Sequence, residues 1–531
     1  QAFEHIFTGN TGQVLPAFAT TLINPGATYT ITTSILARLN TSRYPTIARG
    51  WIEYAWFYVP HVQVWDHWNE LMGENTESAW ISQASYSIPQ LVIPKGTVIK
   101  NGSLLDHFGW PTEEGDFSAS ALKVRAYNWI IDQYYRDQNY EAPYAPDTSD
   151  SNLTYSATGD WTVGNTPYSI NRKADLISTL LPEPQRAPDS LLPLGTNAPI
   201  ITTETENNDS LANPGTKWRY KNGKGLETNN NVILDGTGVD SHMYLSTQSG
   251  AYSGGVNNAS EIHPTNLIAD LTKATAASIN DVRESIVAQH IAERDARSGT
   301  RAPEMLWARW GVEVDVLELG RPRLLNMNRF PIEFEQVPQT SSSDATSPQG
   351  TLTAFGYTNN RSNEETFSFK YHGTLMCLVA IRFEHKYQQG IPLDDLKKDR
   401  FDYWHPEFAG LGDDQVPTAA IFATGGDTGT IKGGDVLGYA ERGYEYKNFL
   451  SIISGQARTN YAQTMDYVHL ADYYASEPVI SREWMKENPD NLDRTIFVNS
   501  DKANQWLIDF VAEFEITDTI PLYSIPGVDR I

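Results

Sequence analysis

The chain contains one cysteine, Cys377, so it can form neither an intrachain disulfide nor a cysteine-cluster metal site. That thiol sits in the apolar run Thr374-Leu-Met-Cys-Leu-Val-Ala-Ile381, where an inert buried residue is the favoured reading. No apolar stretch reaches membrane-spanning length and no secretory signal pattern is present, which points away from insertion and export. Gln1 is no initiator, so the chain is expected to begin slightly downstream of its gene start. Positive charge is scarce: 40 Lys and Arg against 65 Asp and Glu give a net charge of −25. Such a surface argues against a free-standing protein that wraps nucleic acid by itself.

Catalytic signatures are missing as well. There is no Gly-x-Ser-x-Gly elbow, Walker loop, His-Glu-x-x-His or dinucleotide glycine fingerprint. The glycine-rich stretch 425–434 lacks the Gly-Lys-Ser/Thr ending and a helix behind it, and reads as a loop. His61 with His67, or His405 beside Glu407, lack a third ligand at metal-site spacing. The acid pairs Asp394-Asp395 and Asp413-Asp414 read as solvated loop residues, with calcium at an interface as the alternative for the second pair. No cofactor is expected and no enzymatic role is assigned.

What the chain has in quantity is aromatic surface, 14 Trp and 27 Tyr in 531 residues. Its organising stretch is Trp51-Ile-Glu-Tyr-Ala-Trp-Phe-Tyr-Val-Pro60. At period two, Ile52, Tyr54, Trp56 and Tyr58 share one face and Ala55, Phe57 and Val59 the other, so both faces are apolar. This predicts a strand covered on both sides, ended by Pro60. Before it, residues 1–50 read as an extended arm and a first strand over Thr28–Leu36. Further strands are predicted at Thr366–Tyr371, Leu375–Phe383 and Trp506–Ile516, the last with one wet face.

Helices are predicted over 118–138 and 265–297, the second closed by Gly299. In the first, Arg125 and Arg136 are expected on a solvated or salt-bridged edge. Residues 147–263 are dominated by Asn, Thr, Ser and Gly and read as a polar, β-rich projecting insertion. The discontinuous core is then 1–146 with 264–531. Widely separated strands with no repeat predict a mainly β protein of two packed antiparallel sheets, of Greek-key or jelly-roll type.

Two local features bear on partners. Lys397, Lys398 and Arg400 lie beside Tyr403 and Trp404, and Arg442 and Lys447 flank Tyr444 and Tyr446. Cations interleaved with aromatics suit single-stranded nucleic acid, although internal cation–π pairs leave the same trace. The loop 339–350, with Gln339, Thr340, Ser341, Ser342 and Gln349, suits backbone-rich contacts between subunits.

Several segments recur together in one family. They are Phe57-Tyr-Val-Pro60 running into Trp65-Asp-His-Trp68, then Gly102-Ser-Leu-Leu-Asp-His-Phe-Gly109 and Arg125-Ala-Tyr-Asn128 leading to Arg136-Asp-Gln-Asn139. Asp295-Ala-Arg-Ser-Gly-Thr-Arg301, the loop 339–350, Tyr387-Gln-Gln-Gly390, Arg400-Phe-Asp-Tyr-Trp-His-Pro406, Glu487-Asn-Pro489 and Pro521-Leu-Tyr-Ser-Ile-Pro-Gly527 follow in family order. The chain resembles the major capsid proteins of the Microviridae, particularly the gokushovirus-like branch. The resemblance implies an eight-stranded antiparallel jelly-roll β-sandwich with long insertions and a few helices. It also implies a homo-oligomeric icosahedral shell around viral single-stranded DNA, assembled in the host bacterial cytoplasm and found in the virion. Implied partners are a small basic DNA-binding peptide, a pilot protein and a scaffolding protein, and the insertion could meet a host surface receptor. No membrane is involved. The rivals are a carbohydrate-binding or glycosidase β-sandwich, suggested by aromatic and acid content, and an attachment spike.

Overall fold

A computed structural model describes residues 1–74, 85–185, 200–202, 218–220, 232–235, 244–247, 262–264, 267–269, 279–298, 301–313, 315, 320–338, 340, 349, 352–423 and 435–520. The doubly apolar pattern of 51–60 becomes an eleven-residue strand buried along almost its whole length. Eight strands form the framework: β1 (Ala2–Gly9), β2 (Leu15–Ile23), β3 (Thr28–Leu39), β4 (Gly50–Pro60), β5 (Arg323–Pro331), β6 (Leu352–Arg361), β7 (Gly373–Phe383) and β8 (Trp506–Thr517). Their antiparallel pairing is nested: β4 with β5, β3 with β6, β2 with β7 and β1 with β8. A hairpin ribbon wound over on itself produces this nesting, and the result is a jelly roll.

The ribbon divides into two sheets with strand orders β1-β8-β3-β6 and β5-β4-β7-β2. Glu333–Pro338 pairs with β6 and Glu365–Ser368 with β3, which brings the first sheet to six strands. β4 is covered on both sides, as its composition demands. Its Ile52, Tyr54, Trp56 and Tyr58 enter the core between the sheets, against Ile508, Phe510 and Phe514 of β8. Ala55, Phe57 and Val59 enter a second core, against Leu122, Ala126, Tyr127 and Ile130 of a helix lying on the outer face. Trp56 is ringed by Phe18, Phe510 and Phe514, and its indole N–H donates to Thr33 Oγ1 at 3.0 Å. The single charge on this strand, Glu53, is buried and accepts from Arg382 Nε at 3.0 Å. Cys377 is buried in the same sheet, on β7.

Several expectations need correction. Residues 1–9 are not an arm: β1 runs beside β8, and the Gln1 amino group donates to the Phe514 carbonyl at 2.7 Å. The first helix covers only Leu122–Ile130, followed by a π turn over Ile131–Tyr135. Its expected opening turn is taken by a strand, Glu114–Ser120, whose backbone pairs with Gln90–Val98. Arg125 is buried rather than solvated: its guanidinium donates to the carbonyls of Val64, Ser149 and Ser151 at 3.1, 2.9 and 2.8 Å and also pairs with Asp147 at 3.8 Å, so the salt-bridged alternative holds. Arg136 meets Asp132 at 2.7 Å. The second helix is Ile279–Ser298, since Leu267–Ala269 pairs as a strand with Ile200–Thr202; Gly299 lies outside the described residues, as does 425–434.

The chain forms two compact units, Gln1–Arg186 with Glu293–Ile531, and Ala187–Ala292. Residues 147–185 therefore pack with the larger unit, where Tyr155, Tyr168, Ile170 and Ile177 are buried. Those anchors are too widely spaced to leave a periodic signal. The smaller unit contains short antiparallel pairs, among them Val232–Asp235 with Tyr244–Thr247.

The packing around β4 gives a direct test. Trp56→Ala should cost about 3–5 kcal/mol in urea or guanidinium unfolding of the isolated chain. Leu507→Ala, on the exposed face of β8, should change stability by less than about 0.5 kcal/mol. Equal midpoint shifts for the two variants would refute the central position of β4.

Candidate interaction surface

The two basic-aromatic segments meet in space. Lys397 pairs with Glu445, and the Trp404 backbone N–H donates to the Tyr446 hydroxyl at 3.2 Å. Three of the five cations singled out above already have carboxylate partners: Lys397 with Glu445, Arg442 with Asp414 at 3.4 Å, and Lys447 with Glu441 at 2.6 Å. Arg442 also lies 4.6 Å from the Phe408 ring centroid and Arg400 4.4 Å from that of Phe401. Lys398 and Arg400 are exposed. Around them Phe401, Tyr403, Trp404 and Tyr446 are exposed too, and Phe449 nearby is 92 % exposed. Of the loop residues, Thr340 and Gln349 are exposed, whereas Gln339, Ser341 and Ser342 lie outside the described residues.

The histidines and acid pairs go separate ways. His61 is buried, within 3.2 Å of Thr374 Oγ1 and packed edge-on to Trp68. His67 stacks on Tyr86 and meets Asp150 at 2.9 Å. His405 Nε2 lies 3.0 Å from the Arg400 carbonyl oxygen. Asp394 and Asp395 are exposed, while Asp413 pairs with Arg297. Among the described residues, no group of three or more His, Cys, Asp or Glu is arranged to hold a metal ion.

A dense buried charge cluster was not legible in the sequence. Buried His385 lies between Asp472 (3.1 Å from Nδ1) and Glu487 (3.0 Å from Nε2), and Arg172 donates to Asp472 at 2.6 Å. Nearby, Lys486 reaches Glu141, the Tyr168 hydroxyl at 2.6 Å and the Asn171 side-chain oxygen at 3.0 Å. Burial opposes the His385 imidazolium, but Glu487 and Asp472 outweigh it and push the group up to about 10. Burial likewise opposes ionised Asp472, yet His385 and Arg172 hold it well below the usual carboxylate range. Arg172 and Asp472 are separated by 300 positions, so no local pattern announces the pair.

Among the described residues these buried charges staple together chain segments that lie far apart in sequence. A phage capsid protein (F protein) family model matches residues 1–528. The chain belongs to that family. It is 32 % identical to capsid protein VP1 of Spiroplasma virus 4, over 98 % of this chain and 93 % of the relative. It is 30 % identical to capsid protein VP1 of Bdellovibrio phage phiMH2K, over 95 % and 90 %, and 28 % identical to that of Chlamydia phage 1, over 96 % and 91 %. The chain is thus a structural capsid subunit whose place is the phage virion, and the jelly roll is its rigid frame.

For a capsid subunit, the buried charges set a pH window. His385 is raised above its ordinary value of 6.5, so its stabilisation is complete below about 6.5 and lost as pH rises through about 10. Burial lowers His61 and His107 to about 4, so their stabilisation is complete above about 6.5 and lost as pH falls through about 4. Thermal unfolding of the purified chain should therefore peak between pH 6 and 7, by these shifts roughly midway. His385→Gln should flatten the alkaline limb and leave the acid limb in place. A steepened alkaline limb in that variant would contradict the assignment.

Proposed function

We propose that the chain is the major subunit of a small icosahedral shell that closes around single-stranded DNA. The observation that carries this reading is the end-to-end family match on a rigid jelly roll with aromatic surface left bare. Bare aromatic faces cost solubility in a monomer and supply anchors in an assembly. We assign it no catalytic activity. The acidic chain then needs positive charge from elsewhere to meet the genome, and a small basic DNA-binding peptide fits that need. A scaffolding protein and a pilot protein complete the proposed partner set, and the part of the insertion 147–263 that belongs to the smaller unit is proposed to meet a host receptor.

Lys397, Lys398, Arg400, Arg442 and Lys447 are proposed to face the genome, and Gln339, Thr340, Ser341, Ser342 and Gln349 to touch a neighbouring subunit. Existing ion pairs leave Lys398 and Arg400 as the cations with most to offer a phosphate. The chain expressed with its scaffold should give closed shells by negative-stain microscopy, and persistent monomers would defeat the reading. Replacing Arg400, Arg442 and Lys447 with Ala should lower packaged DNA at moderate salt. For every phosphate no longer neutralised, the log–log salt slope should fall by about 0.7. Packaging identical to wild type would remove the genome-facing assignment while leaving the shell intact.

A further inference from the structure

A further exposed apolar surface lies outside both segments discussed above. Ala302–Trp310 is a helix stopped by Gly311, whose φ of +66° is open to glycine and whose N–H donates to the Trp307 carbonyl at 2.8 Å. Trp307 and Trp310, three positions apart and so on one side of the helix, are 68 % and 65 % exposed. The helix itself is firmly held. Arg301 donates to the Asp132 carbonyl at 2.6 Å, Gln138 to Glu304 at 2.9 Å, and Arg309 Nε to Asp295 at 3.1 Å. Two large indoles are thus presented on a fixed support, a preorganised anchor rather than a frayed end.

The same unit contains a matching depression. A cleft of about 460 Å³ is bordered by Tyr134, Tyr135, Arg136, Asn171, Met327 and Arg382. That volume is in the range of sites that enclose a bulky ring system. Arg136 and Arg382 are each fixed by a buried carboxylate, Asp132 and Glu53. Their guanidinium planes are therefore held in place, and planar guanidinium is the best polar partner for an indole face. Met327, on the open edge of β5, is 51 % exposed and adds an adaptable apolar wall.

We infer that Trp307 and Trp310 of one subunit seat in the Tyr134–Met327–Arg382 cleft of the next copy of the chain. This rests on the shell reading and names an inter-subunit contact which that reading requires. Knob and cleft adjoin, since Gln138 borders the cleft and also donates to Glu304 of the knob helix, so one patch carries both halves and two copies can exchange knobs about a twofold axis. The exposed parts of the two indoles supply roughly 200–300 Å². That is too little for a whole interface of about 800 Å² per partner, but it is the size of its central anchor.

Cys377 is buried in β7, which leaves a clean background for introduced thiols. Val312→Cys, beside the knob, and Met327→Cys, at the cleft, would be made in separate chains and co-expressed with the scaffold. A short bismaleimide applied to the purified shells should then give cross-linked dimers only in the mixture of the two variants. In a second arm, Trp307→Ala/Trp310→Ala should lower shell yield about tenfold or more while the melting temperature of the unassembled chain stays unchanged. Trp307→Phe/Trp310→Phe should restore most of that yield. Intact shells that show no inter-chain product, or wild-type yield from the double Ala variant, would overturn the knob-and-cleft pairing alone. A wild-type chain that never closes into shells would overturn the shell reading and this pairing with it.

Discussion

Everything in the larger unit is arranged around the need to keep both faces of β4 dry. One face needs the opposing sheet and the other needs the helix Leu122–Ile130, so neither a single sheet nor a simple sandwich would suffice. The nested ribbon solves the first need by bringing β8, from the far end of the chain, across from β4. The helix solves the second from within the long connection that follows β4. A strand with one polar face would have needed only half of this.

Nesting also decides where extra chain can go. β1 to β4 follow one another closely, but residues 61–322 separate β4 from β5 and residues 384–505 separate β7 from β8. These two long connections are fastened to each other by buried charges: Arg172 and Glu141 come from the first, and their partners Asp472 and Lys486 from the second. Such pairs add little net stability compared with apolar packing, but removing one partner strands a buried charge at a cost of about 3–5 kcal/mol. Their consequence here is registry. An alternative docking of the two connections would strand Arg172 away from Asp472 and leave Glu141 buried without Lys486.

The sequence discloses whatever is local and periodic. The two faces of β4, the strand β8 with its wet side and the buried Cys377 all follow from neighbouring residues. Local patterns mislead where a partner far along the chain competes for the backbone, as when the pairing of Glu114–Ser120 shortens a helix that its apolar stripe would extend. The basic-aromatic segments show the same limit for a site. Their proximity is real, but the carboxylates of Glu445, Asp414 and Glu441 that neutralise three of their cations become partners only once the chain is folded. Trp307 and Trp310 do carry a signal, two indoles at helical spacing, and only exposure distinguishes such a pair from an ordinary core stripe.

Charge ties these observations together. A shell built from copies of a chain at −25 has to overcome mutual repulsion before its subunits can touch. Long-range attraction between copies is therefore a poor basis for assembly, and short-range packing of apolar rings must supply it. Many of the cations are committed inside: Arg125 to carbonyls, Arg136, Arg172, Arg382 and Lys486 to buried carboxylates. What remains outside is an acidic surface set with aromatic anchors. Screening by salt weakens the repulsion without touching the anchors, so moderate ionic strength favours closure of such a shell.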